Sequence, residues 1–271
     1  MVFATLFLAA GCDKIDDEAR LIFAGQTGSW YDGNGVSDHT QRALLEKYTG
    51  PRCNNCPTAD DVIRAAVAQY DGRLVTISIH DYSSFGTPIG NVDLRTEDGD
   101  TWSKYFGIEQ YPAALINRSR SNGTWSILTP TGSVDADIDA ALAATPALAL
   151  DLTASAEGRQ VTIEVDIEFL QSISDELTLT LVAIEDGIHA TQILPNYEYD
   201  DNYTHNHILR DVITDIWGAD IDADGKAGTK RHAVFEYEMS ERWNMEQCHI
   251  VAFVSNKNSR SILNVNECEI E

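Results

Sequence analysis

The stretch LLEKYTGPRCNNCP, residues 44–57, decides the fold of the first part of the chain. It joins a strand predicted over 42–48 to a helix predicted over 59–70, and it carries Cys53 and Cys56 just before that helix. Two cysteines at i and i+3 in the first helical turn can close a small disulfide ring, and the positive end of the helix favours a thiolate at Cys53. The same spacing could form half of a zinc site, but a second ligand pair with conventional spacing is missing from the sequence.

Strands and helices alternate around this stretch. Residues 74–79 (LVTISI) are continuously apolar, which is typical of a strand buried on both faces of a parallel sheet. A helix over 101–106, a strand over 113–116 and a closing helix over 135–144 are predicted to follow. The alternation predicts an α/β domain over residues 41–145.

The pattern changes after Thr145. Apolar and polar residues alternate over 161–169, 177–181 and 233–237, with almost no helical periodicity between them. Period-two patterning in several strands predicts an antiparallel β-sandwich over residues 146–271. The predicted fold class is therefore α/β plus all-β, in two consecutive domains.

Composition limits the classes of function. The chain has 271 residues, with 19 Lys and Arg against 43 Asp and Glu, and a formal net charge of −24. Nucleic acid is excluded as a partner, because neutralising phosphates requires clustered basic residues. The acidic balance also disfavours adsorption onto anionic lipid. The sequence has no apolar run of ~18 residues, the length that a membrane-spanning helix needs.

The amino terminus resembles a bacterial lipoprotein signal. Residues 1–11 (MVFATLFLAAG) form a short apolar run ending in small residues before Cys12. In such signals the cysteine is acylated, so the resemblance implies a signal peptide over 1–11 and a membrane anchor on Cys12. The acidic residues 13–18 resemble the export tags of Bacteroidetes surface lipoproteins, within a tether and lead-in segment over 12–40. We therefore expect a lipid-anchored outer-membrane protein, on the cell surface or the periplasmic face; the alternative is a buried amino-terminal strand.

The cysteine count agrees with an oxidising compartment. If Cys12 carries lipid, four cysteines remain, in the pairs Cys53/Cys56 and Cys248/Cys268. The last pair lies in two predicted strands, 248–255 and 261–268. If the serines that flank the turn pair, the two cysteines lie opposite each other and can form a disulfide. A slip of one residue would place them on opposite faces as separate thiols.

A second element resembles the thioredoxin fold. In YFGIEQYPAALI, residues 105–116, an X-Pro pair leads into a strand, and in that fold such a proline is cis and faces the CxxC motif. The resemblance implies a cis Tyr111–Pro112 bond, Cys53 as nucleophile, Cys56 as resolving thiol and Pro112 as support for the substrate backbone.

The resemblance is closer to one lipoprotein family. The strings LLEKYTGPRCNNCP and YPAALINR, the lipoprotein start and the β-rich tail are similar to the Bacteroidetes outer membrane protein 28 lipoproteins over nearly the whole mature chain. The resemblance implies a thioredoxin-like domain followed by an immunoglobulin-like domain at the outer membrane. Pro51 and Arg52 precede Cys53 where thioredoxin relatives commonly carry Trp, which weakens the expectation of ordinary substrate docking.

Two further patterns suggest metals. Asp220, Asp222 and Asp224 match the opening of a calcium loop, although Arg231 occupies the position of the last acidic ligand. An acidic turn is the alternative. His205 and His207 could chelate a metal from one face of a strand, or could be ordinary loop histidines. Aromatic residues in the same region could line a ligand patch or belong to the core: Tyr197, Tyr199, Tyr203 and Trp217.

Two functions remain open at this point. The first is thiol–disulfide exchange on exported proteins, which requires an exposed Cys53 of low pKa. In this reading Glu46 could relay a proton to Cys56, although a salt-bridged Glu46 is the alternative. The second is a non-catalytic surface lipoprotein that partners other outer-membrane proteins and carries a structural CxxC disulfide. Fold resemblance alone does not decide between them.

Overall fold

A computed structural model describes residues 29–271 as a mixed α/β protein dominated by β-sheet. The strands are β1 (Ser29–Asp32), β2 (Ala43–Thr49), β3 (Leu74–His80), β4 (Ala113–Ile116), β5 (Arg120–Ser121), β6 (Thr124–Trp125), β7 (Leu148–Glu157), β8 (Gln160–Phe169), β9 (Leu177–Glu185), β10 (Ile188–Ile193), β11 (Tyr199–His205), β12 (Ile208–Val212), β13 (Ala219–Asp220), β14 (Lys230–Glu238), β15 (Cys248–Asn256) and β16 (Ile262–Glu269). The α-helices are α1 (Cys56–Tyr70), α2 (Glu97–Phe106) and α3 (Asp135–Leu142).

One long sheet crosses the molecule. Its strands lie in the order β16-β15-β9-β12-β3-β2-β4, and β13 pairs with β9 as an eighth strand. β2 and β3 are parallel, whereas β4 is antiparallel to β2. A second sheet has the order β1-β14-β8-β7, and the hairpins β5–β6 and β10–β11 form two-stranded sheets of their own.

Local sequence explains where the helices begin and end. Pro57 occupies the first turn of α1, where its missing N–H leaves no hydrogen bond unmade. The hydroxyl of Thr96 accepts a hydrogen bond from the Gly99 amide over 2.9 Å and so caps the start of α2. Gly107 ends α2 with a φ of 70°, a conformation that glycine adopts without a Cβ penalty.

Three apolar cores lie around the long sheet. The first fills the space between β9 and β15 on one side and the four-stranded sheet on the other. The second lies on the opposite face of β9 and β15 and continues across β2, β3 and β4 to α2. The third lies between the other face of β2–β4 and the helices α1 and α3. Both faces of the central strands β2, β3 and β9 are therefore buried.

The long sheet continues across the predicted boundary at residue 145. Strand β12 runs parallel to β3, with Ile208 opposite Ser78, and the Ser78 amide donates to the His207 carbonyl over 2.7 Å. The second core also contains residues from both parts of the chain. The mixed α/β class is confirmed, and the boundaries 41–145 and 146–271 stay a prediction for two segments that share a sheet.

The C-terminal hairpin corrects the predicted register. An irregularity at the end of β15 places Ser255 opposite Ile262 instead of the preceding serine. As a result Cys268 lies opposite Ile250, and Cys248 lies two residues further along β15. Both cysteines are free thiols in the structure. The predicted Cys248–Cys268 disulfide is therefore wrong here, because the two residues are diagonal and not directly opposite.

Part of the membrane prediction lies outside the structure. Within residues 29–271 no helix has the length and apolar character needed to cross a membrane. The predicted signal peptide over 1–11 and the anchor on Cys12 fall outside the described residues.

Candidate functional site

A tight turn brings the two cysteines of the CxxC motif together. The Cys53 amide donates to the Gly50 carbonyl over 3.0 Å, and the Cys56 amide donates to the Cys53 carbonyl over 3.2 Å. These bonds reverse the chain between β2 and α1. Cys53 and Cys56 form a disulfide, with Cα atoms 5.3 Å apart, a separation inside the usual range for such bonds.

A loop from the first half of the chain lies against this turn. The Phe85 carbonyl accepts a hydrogen bond from the Arg52 amide over 3.0 Å, and the Arg52 guanidinium donates to the Thr87 carbonyl over 3.0 Å. A Cβ on Gly50 would lie only 2.2 Å from the Phe85 oxygen. Glycine at position 50 is therefore what allows the loop to approach.

Pro112 lies at the same end of the sheet as the disulfide. Ala113 of β4 pairs with Tyr48 of β2, and one further step in this register brings Pro112 level with Thr49. The Tyr111–Pro112 bond is cis, as predicted. The three predicted redox residues thus share one end of the sheet.

Asp81 ties the proline loop to the rest of this end. The buried Asp81 carboxylate accepts hydrogen bonds from the hydroxyls of Tyr111 and Ser103. Burial, and after it the Asp81 carboxylate, raise the pKa of Tyr111 to about 12. The Tyr111 ring also lies 5.0 Å from that of Phe85. These contacts fix the residue before Pro112.

A hairpin from the second half of the chain covers the turn from the other side. We call strands β10 and β11 with their connecting loop, residues 188–205, the cover hairpin. The buried Gln192 amide donates to the carbonyls of Cys53 over 2.9 Å and Gly50 over 3.4 Å. The Ile193 amide donates to the Pro51 carbonyl over 2.9 Å. The cover hairpin is therefore held on the CxxC turn by polar contacts.

Both cysteines are inaccessible in this arrangement. Cys53 is 1% exposed and Cys56 is 0% exposed. The exchange reading expects an exposed Cys53, and in this closed state that expectation is wrong, because the turn lies between a loop and the cover hairpin. A reagent or a substrate disulfide could reach Cys53 only if the loop or the cover hairpin moves.

A buried polar network anchors the cover hairpin to α1. The Tyr203 hydroxyl donates to Asp60 over 2.7 Å, and the other oxygen of Asp60 pairs with the ammonium of Lys47. Burial, and then Asp60, raise the pKa of Tyr203. Beside the network lies a cavity of about 150 Å³, where the Thr76 hydroxyl and one nitrogen of His205 have no hydrogen-bond partner among the described residues. Such a polar cavity suits a few ordered waters.

The two histidines singled out as metal ligands have other surroundings. His205 is buried, and its ring packs edge-to-face on that of His80 with centroids 5.8 Å apart. Burial, and then the Lys47 charge, lower the pKa of His205 to about 4. Burial also lowers the pKa of His80, with a smaller effect from His205. His207 lines the same cavity. His205 and His80 are therefore buried side chains whose neutral forms are favoured, whereas His207 is half-buried beside Asp186.

Glu46 is salt-bridged and lies on the wrong face for a proton relay. Three hydrogen bonds of 2.7, 2.9 and 3.1 Å join its carboxylate to Arg118, and the residues are 0% and 1% exposed. The Arg118 guanidinium lies over the rings of Trp102 and Phe253, at 4.7 and 4.9 Å. This is the sheet face opposite α1, so the relay to Cys56 is wrong and the salt-bridge alternative is confirmed.

The three predicted calcium ligands do not converge. Each is ion-paired with a different cation: Asp220 with Lys257 at 2.8 Å, Asp222 with Arg231 at 3.2 Å and Asp224 with Lys226 at 2.6 Å. In the part of the chain that the structure describes, no group of three or more His, Cys, Asp or Glu residues is placed to hold a metal ion. The calcium prediction is therefore left without structural support.

The sequence reasoning missed the residues that close the site. Gln192 is one of several polar residues in a short strand, and it contacts carbonyls about 140 positions earlier, which a local pattern does not reveal. Asp60 and Lys47 could have been suspected, because a charged residue on the inner face of a helix or a buried strand requires a partner.

Comparison with known proteins identifies a family and a fold. A model of the family "Outer membrane protein Omp28" matches residues 99–271. Searches of curated proteins give no match.

Solved structures resemble the chain at low sequence identity. HBP35 of Porphyromonas gingivalis has a TM-score of 0.67 at 18% identity, with 87% of this chain and 77% of that chain covered. A structural-genomics target from Agrobacterium tumefaciens has a TM-score of 0.52 at 14% identity, covering 85% and 95%. A domain of the outer membrane lipoprotein Omp28 from P. gingivalis has a TM-score of 0.33 at 16% identity, covering 47% and 91%. At these identities the first two support the fold alone.

Proposed function

Because the chain belongs to the outer membrane protein Omp28 family, we propose that it is a lipoprotein anchored in the outer membrane through Cys12. The apolar run over residues 1–11, with small residues before Cys12, supports this assignment. The test is fractionation of cell envelopes. Wild-type protein should stay with the outer membrane, whereas Cys12→Ser protein should lose its lipid and leave the membrane fraction.

We also propose that the first part of the chain is thioredoxin-like and the second immunoglobulin-like. The parallel strands β2 and β3, the antiparallel β4, the CxxC motif before α1 and Pro112 support the first assignment. The two sheets that enclose the first apolar core support the second. Residue 145 would be the boundary.

The activity that the geometry favours is binding without thiol chemistry. The observation that carries this proposal is the burial of the Cys53–Cys56 disulfide, at 1% and 0% exposure, under contacts from Gln192. Thiol–disulfide exchange needs an accessible sulfur for the attacking thiolate. We therefore propose an accessory surface lipoprotein, with partners among outer-membrane or exported proteins, in which this disulfide fastens the start of α1.

Thiol–disulfide exchange is the second candidate, and the position of the site favours it. The disulfide lies at the start of a helix with Pro112 at the same end of the sheet. Exchange would require reduction of the disulfide and movement of the cover hairpin. The Cys53 thiolate would then attack a substrate disulfide and release one substrate thiolate, and Cys56 would displace the second to restore the intramolecular bond.

A trapping experiment separates the two candidates. A full-length Cys56→Ser variant, expressed in cell envelopes, would hold exchange partners as mixed disulfides on Cys53. The binding proposal predicts that this variant forms no mixed disulfide that a reductant releases. The Cys53→Ser/Cys56→Ser protein is the control for adducts on the other cysteines. Peptide mapping of the reduced, folded wild type should show Cys53 alkylated far more slowly than in urea. Adducts specific to Cys56→Ser, with rapid alkylation of Cys53, would overturn the binding proposal in favour of exchange.

A further inference from the structure

Five side chains from five segments form a continuous row on the surface. In order they are Arg120 in β5, Trp125 in β6, Tyr105 near the end of α2, Trp217 before β13 and Arg260 between β15 and β16. The Arg120 guanidinium lies 3.7 Å from the Trp125 ring centroid, and the next three separations are 6.1, 4.5 and 4.8 Å. We call these five residues the Arg–aromatic row.

The row is supported from below and open above. Trp125 and Trp217 are half-buried and pack against the second apolar core. Tyr105 is 45% exposed and Arg120 is also exposed. Side chains backed by a packed core lose little further conformational freedom when a partner binds. The row is therefore a preorganised surface.

The two arginines at its ends have aromatic partners and no acidic ones. Among residues 29–271, neither Arg120 nor Arg260 forms an ion pair with a carboxylate, although the chain carries 43 acidic residues. A guanidinium stacked on a ring keeps its N–H donors at its edge, where they can bind a carboxylate with two hydrogen bonds. The row thus offers two cationic ends joined by an apolar surface.

We propose that the Arg–aromatic row binds an extended acidic segment of another protein, with one carboxylate at each end and apolar side chains between. The four separations together come to roughly 19 Å, which is an upper limit on the distance between the two guanidinium groups, so an extended chain at ~3.3 Å per residue reaches both with at most about six residues. Trp, Tyr and Arg are the residue types enriched in the energetically dominant parts of protein interfaces. The net charge of −24 opposes the approach of an acidic ligand, so binding depends on direct contact with the two guanidinium groups. The inference rests on the proposed binding role and gives it a partner class.

The test uses a defined probe. A fluorescein-labelled hexapeptide with glutamate at both ends and Gly-Leu-Leu-Gly between them is titrated with the full chain, and binding is followed by fluorescence anisotropy. R120Q and R260Q should each weaken binding by roughly tenfold, as truncation of an interface arginine does. R64Q is the matched control, because Arg64 is exposed and its substitution removes the same charge at a distant place on the surface. It should change the dissociation constant by less than about twofold.

Four results would overturn the inference. Three concern the peptide: no saturable binding, equal binding of its glutamine-ended counterpart, and equal weakening by R64Q. Tighter, arginine-dependent binding of polygalacturonate would assign the row to anionic glycans and would also contradict the peptide proposal. If R260Q lowers the melting temperature, the test relies on R120Q, because Arg120 lies in an exposed two-residue strand. None of these results depends on the cysteines, so failure here leaves the trapping experiment intact.

Discussion

The two cysteine pairs of this protein differ in what brings their sulfur atoms together. Cys53 and Cys56 are three positions apart, and the turn before α1 alone fixes their distance. Cys248 and Cys268 are twenty positions apart, and their distance depends on the register of β15 and β16. A shift at one irregular position in that hairpin leaves them as free thiols. Spacing in the chain thus fixes the first pair, and strand pairing decides the second.

The pairs also differ in what surrounds them. The Cys53–Cys56 disulfide lies under the cover hairpin, which is held by hydrogen bonds to backbone carbonyls. Cys248 and Cys268 face the first apolar core. Burial raises the pKa of both thiols to about 12, so they remain protonated at neutral pH. The cover hairpin shields the first pair, whereas the first apolar core shields the second.

Acid should have the largest effect, because protonation of the buried His205 destabilises the cover hairpin, whereas the thiols of Cys248 and Cys268 are protonated at neutral and acidic pH. His205 in β11 has a pKa lowered from 6.5 to about 4, so the native state favours its neutral form. The contribution of neutral His205 to the free energy of unfolding is fully present above pH 6.5 and is lost as the pH falls towards 4. At ~1.4 kcal/mol per pKa unit, the loss is roughly 3 kcal/mol.

The measurement compares chemical denaturation of wild type and His205→Gln between pH 7 and pH 4. The Lys47–Asp60 pair is present in both proteins, so the difference measures His205 together with its effect on the adjacent His80. The variant should lose less stability than wild type over this range. Equal losses in the two proteins would show that His205 does not couple pH to stability.

Removing the disulfide is the next largest change. The Cys53→Ser/Cys56→Ser variant loses a cross-link that closes a very short loop, which is worth about 2 kcal/mol in the chain-entropy account. Urea denaturation of the oxidised wild type and the variant measures this difference. Reduced wild type should resemble the variant, and a variant as stable as oxidised wild type would refute a structural role for the disulfide.

Substitution of the second pair sharpens the contrast between its members. Cys248 is buried, so Cys248→Ser places a hydroxyl in the apolar core and should cost about 1.5 kcal/mol. Cys268 is half-buried, and Cys268→Ser should cost below about 0.5 kcal/mol. Thermal denaturation without reductant measures both. Equal losses of more than about 2 kcal/mol would indicate that the two thiols are bonded after all.

The same contrast explains what the sequence could predict. The strand before the CxxC motif, the following helix and the cis Tyr111–Pro112 bond were accessible because they depend on local pattern or on a family motif. The hairpin register was not, because the irregularity near Ser255 has no composition signal. The role of Gln192 was not, because its contacts join parts of the chain about 140 residues apart.

The central claim is that the cover hairpin shields the disulfide, and Gln192→Ala tests it most directly. The variant removes the side-chain hydrogen bonds to the carbonyls of Cys53 and Gly50. Losing about 1.4 kcal/mol of closing free energy should speed reduction of Cys53–Cys56 by dithiothreitol roughly tenfold under native conditions. Thr191→Ala is the matched control, because the Thr191 hydroxyl bonds Asp201 within the hairpin, and its reduction rate should match that of wild type. Equal reduction rates in wild type and Gln192→Ala would contradict the account.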